Sequence, residues 1–367
     1  MQDKGEWLNP NNPFNSWKVL AWADRIRGII DGQFQPPVTV NWDLVLGCNY
    51  RCQHCIWSKR RGLPHTKVPD EFIKTVPKFL HDWGVKGVCF GGESGDCSLH
   101  PQLATTLRLL HYWNLDIGIA TNGYAFSHEV LEAIANYSLF IGFSMDAGDR
   151  ESYSKVHGVP QDYFNKVLEN IEYLANYTAK NDLPLQIAYK FLILPDSYHT
   201  IAEGARIAKN IGVRDFQVRP AELPDSEIAE IDIQRVEEQI NQAHELNTEA
   251  FRVYSIRHKF IQEQGIHTLE KKRMKHCWAT PLINTWTADG DVVCCVDLID
   301  EAYNTLCNYI KDGLDEIRRV WGTPEHLALI KGMNEKLDKC KRCTFAGYNE
   351  IIENCFAHGD TLDLNML

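Results

Sequence analysis

The chain has 367 residues, 44% of them hydrophobic, and its 38 basic and 49 acidic residues give a formal net charge of −11. That length can bury a large core, and no apolar run reaches the ~18 residues that a membrane-spanning helix needs, so no membrane association is expected. The acidic balance argues against a general nucleic-acid surface, which requires clustered lysine and arginine to displace counterions from phosphates. The start, Met1-Gln2-Asp3-Lys4-Gly5, lacks the charged and apolar regions of a signal peptide. The 12 cysteines have clustered spacings. They therefore read as metal ligands in a reducing cytosol rather than as a disulfide framework, and a cytoplasmic location is expected.

In chain order, residues 1–37 read as an amino-terminal arm and helix, with Trp7, Trp17, Trp22 and the run Ile26 to Ile30 packing onto the barrel that begins at residue 38. From that residue strand and helix patterns alternate, which favours parallel strands joined by crossover helices. Strands are expected at 38–46, 85–90, 115–121, 139–146, 185–194 and 216–219, with helices at 70–82, 102–113, 128–136, 164–178 and 200–211. Six such units predict an α/β fold, a partial (β/α)6 barrel over 38–225. A helical bridge over 226–275 comes next, acidic at first, helical in pattern from Ile231 to Leu246 and basic at Lys271-Lys272-Arg273. Residues 276–367 form a further, cysteine-bearing domain.

In parallel barrels, chemistry collects at the carboxyl ends of strands, where loops from several units converge. After the first expected strand comes Gly47-Cys48-Asn49-Tyr50-Arg51-Cys52-Gln53-His54-Cys55. Three thiolates at CxxxCxxC spacing can hold three irons of a [4Fe–4S] cluster and leave the fourth iron open. A structural zinc site or unrelated cysteines are the other readings; zinc usually takes four ligands in CxxC-type pairs. Lys59-Arg60-Arg61, next along, reads either as a solvated loop or as a contact for an anionic substrate group. The second strand ends in Gly91-Gly92-Glu93-Ser94, the third in Thr121-Asn122-Gly123 and the fourth in Ser144-Met145-Asp146-Ala147-Gly148-Asp149.

CxxxCxxC followed one strand-helix-strand unit later by Gly-Gly-Glu resembles the radical S-adenosylmethionine (SAM) superfamily. The resemblance implies that SAM's methionine amine and carboxylate chelate the open iron of the Cys48, Cys52 and Cys55 cluster. The Gly91 and Gly92 backbone and Glu93 would hold the amine, since glycine lets the main chain approach a ligand without a Cβ in the way. Ser144 would bind the ribose or methionine end, and Asn122 or Asp146 would line the substrate cavity. Thr121-Asn122-Gly123 also reads as a simple turn, and Asp149 as a helix cap. Tyr50 and His54 lie in the cofactor loop; His54 stands where the family commonly has an aromatic residue near adenine. Ser94 stands where proline is common, which leaves that turn less rigid. Lys190 and Arg219, on the fifth and sixth strands, are candidate contacts to cofactor or substrate, with structural ion pairs as the alternative.

The carboxyl-terminal part has Cys277, Cys295 and Cys340-Lys341-Arg342-Cys343, with Asp289-Gly290 as a hairpin turn that could bring Cys277 and Cys295 together. This arrangement resembles the auxiliary-cluster domains called SPASM and twitch. No cysteine comes after Cys343 until Cys355, which favours the twitch type with one auxiliary [4Fe–4S] cluster held by Cys277, Cys295, Cys340 and Cys343. Cys294 could replace Cys295, Cys307 or Cys355 could enter the shell, and a four-cysteine zinc site fits the spacing too.

The family resemblance implies reductive cleavage of SAM to a 5′-deoxyadenosyl radical that removes hydrogen from a substrate, with flavodoxin or ferredoxin as reductant. A fully ligated auxiliary cluster suits electron removal, and the overall cysteine spacing is similar to that of the aminocyclitol dehydrogenase type of butirosin biosynthesis, so dehydrogenation of a small polar substrate is expected. Redox-neutral isomerisation needs a thiol to return hydrogen, for which the spare Cys89, Cys97, Cys294, Cys307 and Cys355 are candidates with Cys97 first, while Cys89 reads rather as a small buried hydrophobe. Peptide maturation, a nucleotide substrate and a non-enzymatic electron carrier are further readings.

Overall fold

A computed structural model describes residues 15–58, 60, 63–221, 223, 225–228, 230–255, 276–337, 340 and 343–357. The expectations for Trp7, Lys59, Arg61 and the basic end of the bridge lie outside the described residues. The strands are β1 (Thr39–Trp42), β2 (Val45–Leu46), β3 (Thr66–Lys67), β4 (Gly87–Phe90), β5 (Asp116–Thr121), β6 (Phe140–Ser144), β7 (Gln186–Ile193), β8 (Asp215–Pro220), β9 (Arg252–Ser255), β10 (Ile283–Trp286), β11 (Asp291–Val293) and β12 (Thr305–Asn308). One ten-stranded sheet runs β12-β11-β10-β1-β4-β5-β6-β7-β8-β9. Every pairing from β10 to β9 is parallel, and β11 and β12 add an antiparallel edge.

The six expected barrel strands are β1 and β4 to β8. Two further parallel strands flank them. β9 has four residues, too short to show a period. β10 belongs to the expected carboxyl-terminal hairpin, yet it pairs in parallel with β1, Thr39 opposite Ile283 and Trp42 opposite Trp286. The cysteine-rich region thus shares the barrel's sheet. The first strand is also shorter than expected: it stops at Trp42, and after Asp43-Leu44 the chain resumes as β2, which pairs with β3.

The crossover helices lie close to the expected positions, at Asp70–Trp83, Leu103–Tyr112, His128–Tyr137, Asp162–Lys180 and Ile201–Asn210. The eight-residue helix Arg150–His157, which has no counterpart among the expected helix ranges, is capped by Asp149 accepting from Ser152 N–H (2.8 Å), in line with the reading of Asp149 as a helix cap. Burial alternates along the strands. Val40, Trp42, Val88, Phe90, Ile117, Ile119, Ile141, Phe143, Tyr189, Phe191, Phe216 and Val218 are almost wholly buried under the helices. On the opposite face Asn41, Cys89, Gly118, Ala120, Ser144, Lys190, Leu192 and Arg219 are only half-buried. Small residues on β4 to β6 and polar ones on β1, β7 and β8 therefore line the face of the sheet turned away from the helices, the lumen side of the partial barrel.

Candidate active site

The cysteine loop is tied to the end of β4 by backbone alone. Gly47 N–H donates to Ser94 O (3.0 Å) and Asp96 N–H to Gly47 O (3.2 Å). A Cβ on Gly95 would strike the backbone of Gly47, and Gly47 has φ +139°, so glycine is required on both sides of this contact. The segment after Gly-Gly-Glu also carries a residue that the motif does not mark. The buried Asp96 carboxylate accepts from Ser98 N–H (3.0 Å), Thr121 Oγ1 (3.0 Å) and Asn122 N–H (2.8 Å). It fastens the Thr-Asn-Gly turn to the cysteine loop.

Cys48, Cys52 and Cys55 are each half-buried. Tyr50 N–H points at Cys48 Sγ (3.4 Å), and Asn122 Nδ2 lies 3.7 Å from the same sulfur and 2.9 Å from Asn49 Oδ1. His157, at the end of the helix Arg150–His157, places Nδ1 3.1 Å from Cys52 Sγ and Nε2 2.9 Å from Met145 O. Burial pushes the Cys48 thiol up to about 11, with Asp96 adding to it, and pushes His157 down to about 4. Three partly exposed thiols on one loop, with N–H groups aimed at Cys48, are a donor set that fits a cluster held by three cysteines.

The expected cofactor contacts divide. Gly92 has φ +78°, a backbone reason to be glycine, and the Glu93 carboxylate folds back over the bare Cα of Gly91. Glu93 N–H donates to Asp43 Oδ1 (3.2 Å) at the break between β1 and β2. Burial pushes Asp43 up to about 6, against the pull of Ser94, Glu93 and Arg60. Of Tyr50, expected in the cofactor loop, the ring is 1% exposed and the hydroxyl bonds Tyr153 (2.8 Å), because the loop turns the side chain into the aromatic core and leaves its backbone beside the cysteines. Asp146 is likewise no open cavity wall. It is 1% exposed with φ +52°, accepts from Leu192 N–H (2.8 Å) and pairs with His54 Nε2 (3.4 Å). Burial works to raise its pKa, but His54, His157 and the Leu192 N–H outweigh it and hold the carboxyl below its usual value.

Two cysteine expectations are reversed. Cys97 lies in the apolar core, 4% exposed, whereas Cys89 takes a lumen position opposite Gly118, whose Cβ would lie 3.8 Å from its sulfur. The alternation of β4 explains this, since Val88 and Phe90 take the helix-facing sites. Burial pushes the Cys89 thiol up to about 12; Glu93 adds to this and Lys190 opposes it.

In the carboxyl-terminal region Cys277, Cys294, Cys295 and Cys343 are buried and Cys340 is half-buried. Burial raises both the Cys294 and Cys295 thiols; Cys277 reinforces each, and Cys343 reinforces Cys295, which places these sulfurs within electrostatic reach of one another. Cys295 N–H donates to Asn304 Oδ1 (2.8 Å), Cys277 N–H to Asn334 Oδ1 (2.8 Å), and Asn349 Nδ2 lies 3.7 Å from Cys343 Sγ. Among the described residues, no three His, Cys, Asp or Glu side chains close around a single ion. The two cysteine regions touch. Trp57, just after Cys55, packs with Ala279, Val296, Cys343 and Phe345, and Arg60 is 7% exposed with ion pairs to Asp300 (3.0 Å) and Asp289 (3.6 Å). Arg60 is neither a solvated loop residue nor turned to the lumen.

Residues 43–201 match the family model described as "Radical SAM superfamily". The AdoMet-dependent heme synthase of Methanosarcina barkeri is 24% identical over 183 residues, covering 50% of this chain and 50% of that protein. An S-adenosylmethionine-dependent nucleotide dehydratase of Psychrobacter lutiphocae is 27% identical over 126 residues, 31% of this chain and 42% of that protein. The chain thus spans about half, or less, of the curated relatives it matches. In fold it is similar to SuiB of Streptococcus suis, whose structure was also solved with S-adenosylmethionine and with precursor peptide SuiA. The TM-score is 0.62 at 15% identity, covering 87% of this chain and 73% of SuiB.

Proposed function

We propose that the chain, whose residues 43–201 match the radical SAM superfamily model and so imply a [4Fe–4S] cluster and SAM, dehydrogenates a polar substrate with the help of one auxiliary cluster. Bound at Cys48, Cys52, Cys55 and the Gly91 to Glu93 segment, the cofactors would supply a 5′-deoxyadenosyl radical that removes hydrogen from an unactivated carbon. The residues do the positioning. Asn122 and the Tyr50 N–H orient Cys48, His157 faces Cys52, and Asp96 locks their two segments together. Glu93, held through its backbone by Asp43, offers a carboxylate for an amine. The half-buried lumen row gives a substrate room beneath the cysteine loop.

The observation that carries dehydrogenation over its rivals is the second cysteine group, Cys277, Cys295, Cys340 and Cys343, whose surroundings join the first loop through Trp57 and Arg60. Such a group provides a place for the substrate's second electron. The butirosin-type resemblance supports the same reading, and a flavodoxin or ferredoxin would serve as reductant. A small polar molecule is the favoured substrate; the peptide in one SuiB structure and the name of the nucleotide dehydratase keep peptides and nucleotides as candidates.

Redox-neutral isomerisation is the second reading, favoured by the lumen position of Cys89. Iron and acid-labile sulfide on anaerobically reconstituted protein test the first reading, wild type against a Cys48→Ala, Cys52→Ala, Cys55→Ala variant. About eight irons falling to about four support two clusters. About four falling to none would remove the electron acceptor and leave isomerisation ahead.

A further inference from the structure

The lumen contains a polar row that the cofactor motifs do not account for. Ser144, Lys190 and Gln217 are register partners on β6, β7 and β8. Their neighbours along the strands settle which way they face. Phe191 and Phe216 pack on Gly204 of the helix Ile201–Asn210, so Lys190 and Gln217 point to the other side of the sheet, into the lumen. Gln217 is 1% exposed, and neither its Oε1 nor its Nε2 has a hydrogen-bond partner. A buried amide left with both atoms unsatisfied is costly and calls for a ligand group.

Lys190 lies beside it. Its chain crosses the face of β6 because position 142 is glycine: a Cβ there would come within 2.6 Å of Lys190 Cε and 3.2 Å of Nζ. Burial and the neighbouring Arg219 push the ammonium down to about 8. The acids that could neutralise it are engaged elsewhere. Asp146 is committed to His54 and Leu192 N–H, and Asp215, deeper on β8, is hydrogen-bonded by Gln186. Glu93 acts on Lys190 electrostatically, while its own side chain is hydrogen-bonded with Asp43.

We infer that Lys190 and Gln217, with Arg219 one step along β8, form a subsite for an oxyanion of the substrate, a carboxylate or a phosphate. The ammonium supplies charge and the Gln217 amide a directed N–H donor, a pairing that suits an anion better than a neutral sugar or an amine. Ser144 adds a hydroxyl at the near end of the row. The anion of SAM itself is the competing occupant. The geometry favours substrate: adjacent strands are ~4.8 Å apart, so β8 stands roughly 14 Å across the sheet from β5, whose next residue, Asn122, touches Cys48. A carboxylate chelated at the cysteine loop would sit beside Asn122 and leave Gln217 unfilled. This subsite deepens the proposed function, which it takes as its premise.

The test uses reconstituted full-length protein and inorganic phosphate and acetate as probes, with calorimetry in the presence and absence of saturating SAM. Wild type is expected to bind at least one anion with SAM already bound. Lys190→Met and Gln217→Glu should weaken that binding by roughly tenfold or more while SAM affinity stays within about threefold. Circular dichroism and iron content on the same samples show whether each variant folds, and Gln217→Leu provides a second, uncharged variant at the more buried position. Three results would overturn the subsite: no anion binding to wild type, unchanged binding in folded variants, or anion binding abolished by SAM together with weaker SAM binding by Lys190→Met. That last result assigns the row to SAM. Formation of 5′-deoxyadenosine, measured separately, shows whether the radical SAM reading has failed instead.

Discussion

Arg60 Nη1 lies 3.0 Å from Asp300 Oδ1, so a guanidinium five residues past Cys55 is paired with a carboxylate five residues past Cys295. Its Nη2 reaches Asp289 in the β10 to β11 turn (3.6 Å). Arginine suits this place because its fork can serve two carboxylates at once. The pairing spans the two cysteine regions, and with Trp57 it fixes how one sits against the other.

Arg60→Met should keep most of the buried packing and lose the pairing. Charge-assisted hydrogen bonds contribute about 1.5–3 kcal/mol, and the partly exposed acids place this one toward the lower end. A lower urea midpoint is expected, with Arg60→Lys between the variant and wild type. An unchanged midpoint would mean that Trp57 packing alone joins the regions.

Gly95→Ala should be damaging out of proportion to its size. The new Cβ would strike Gly47, the residue immediately before Cys48. Overpacking of this kind costs about 1–3 kcal/mol, and here it would displace the cysteine loop. Iron bound by Cys48, Cys52 and Cys55 should fall while iron bound by the later cysteines is retained. Gly332→Ala is the control: it lies in the helix Pro324–Asn334 with nothing within 4 Å of its Cβ, and should stabilise by about 0.5–1 kcal/mol.

The barrel was legible because its strands and helices repeat with clean periods and its motifs sit at strand ends. Cys48, Glu93, Asn122 and Ser144 all lie at those ends. The supporting residues were hidden because their roles depend on contacts between distant segments. Asp96 matters through Thr121 and Asn122, His157 through Cys52, and Gln217 through having no partner in a buried row. Cys89 and Cys97 were exchanged because a hydrophobic run does not reveal which alternate residues face helices, whereas pairing with Gly118 does. β10 was placed correctly in a hairpin, but its parallel pairing with β1 had no local sequence signal.

Asp43 sets a pH dependence of stability. Burial raises its carboxyl from 3.8 in the unfolded chain to about 6 in the fold. The folded state therefore holds the proton more tightly, and stability falls as pH rises between these two values, by up to about 3 kcal/mol in all. Asp43→Asn keeps an oxygen for the Glu93 N–H and removes the ionisation. The variant should gain stability at pH 7 and little at pH 4, read by urea unfolding of metal-free protein. Asp215, pushed up to about 6 also mainly by burial, retains a second contribution of the same sign, so the profile flattens only in part. An identical pH profile in variant and wild type would show that Asp43 is ionised in the fold without penalty.

Cys89 and Cys97 offer a direct separation of dehydrogenation from isomerisation. Cys97→Ala removes a sulfur from the packed core and should cost about 1 kcal/mol of stability; Cys89→Ala empties a half-buried lumen site and should cost less. Under isomerisation alone, their effects on turnover would run the other way. A thiol exchanges its proton with solvent, so an isomerase that returns hydrogen from Cys89 leaves deuterium in its product when run in heavy water, and Cys89→Ala stops product formation while SAM is still cleaved. A dehydrogenase gives product lacking a hydrogen pair, incorporates no such deuterium and tolerates Cys89→Ala. The second pattern is expected if the later cysteines accept the electron. Solvent deuterium in the product that disappears with Cys89→Ala and persists with Cys97→Ala would move the assignment to isomerisation.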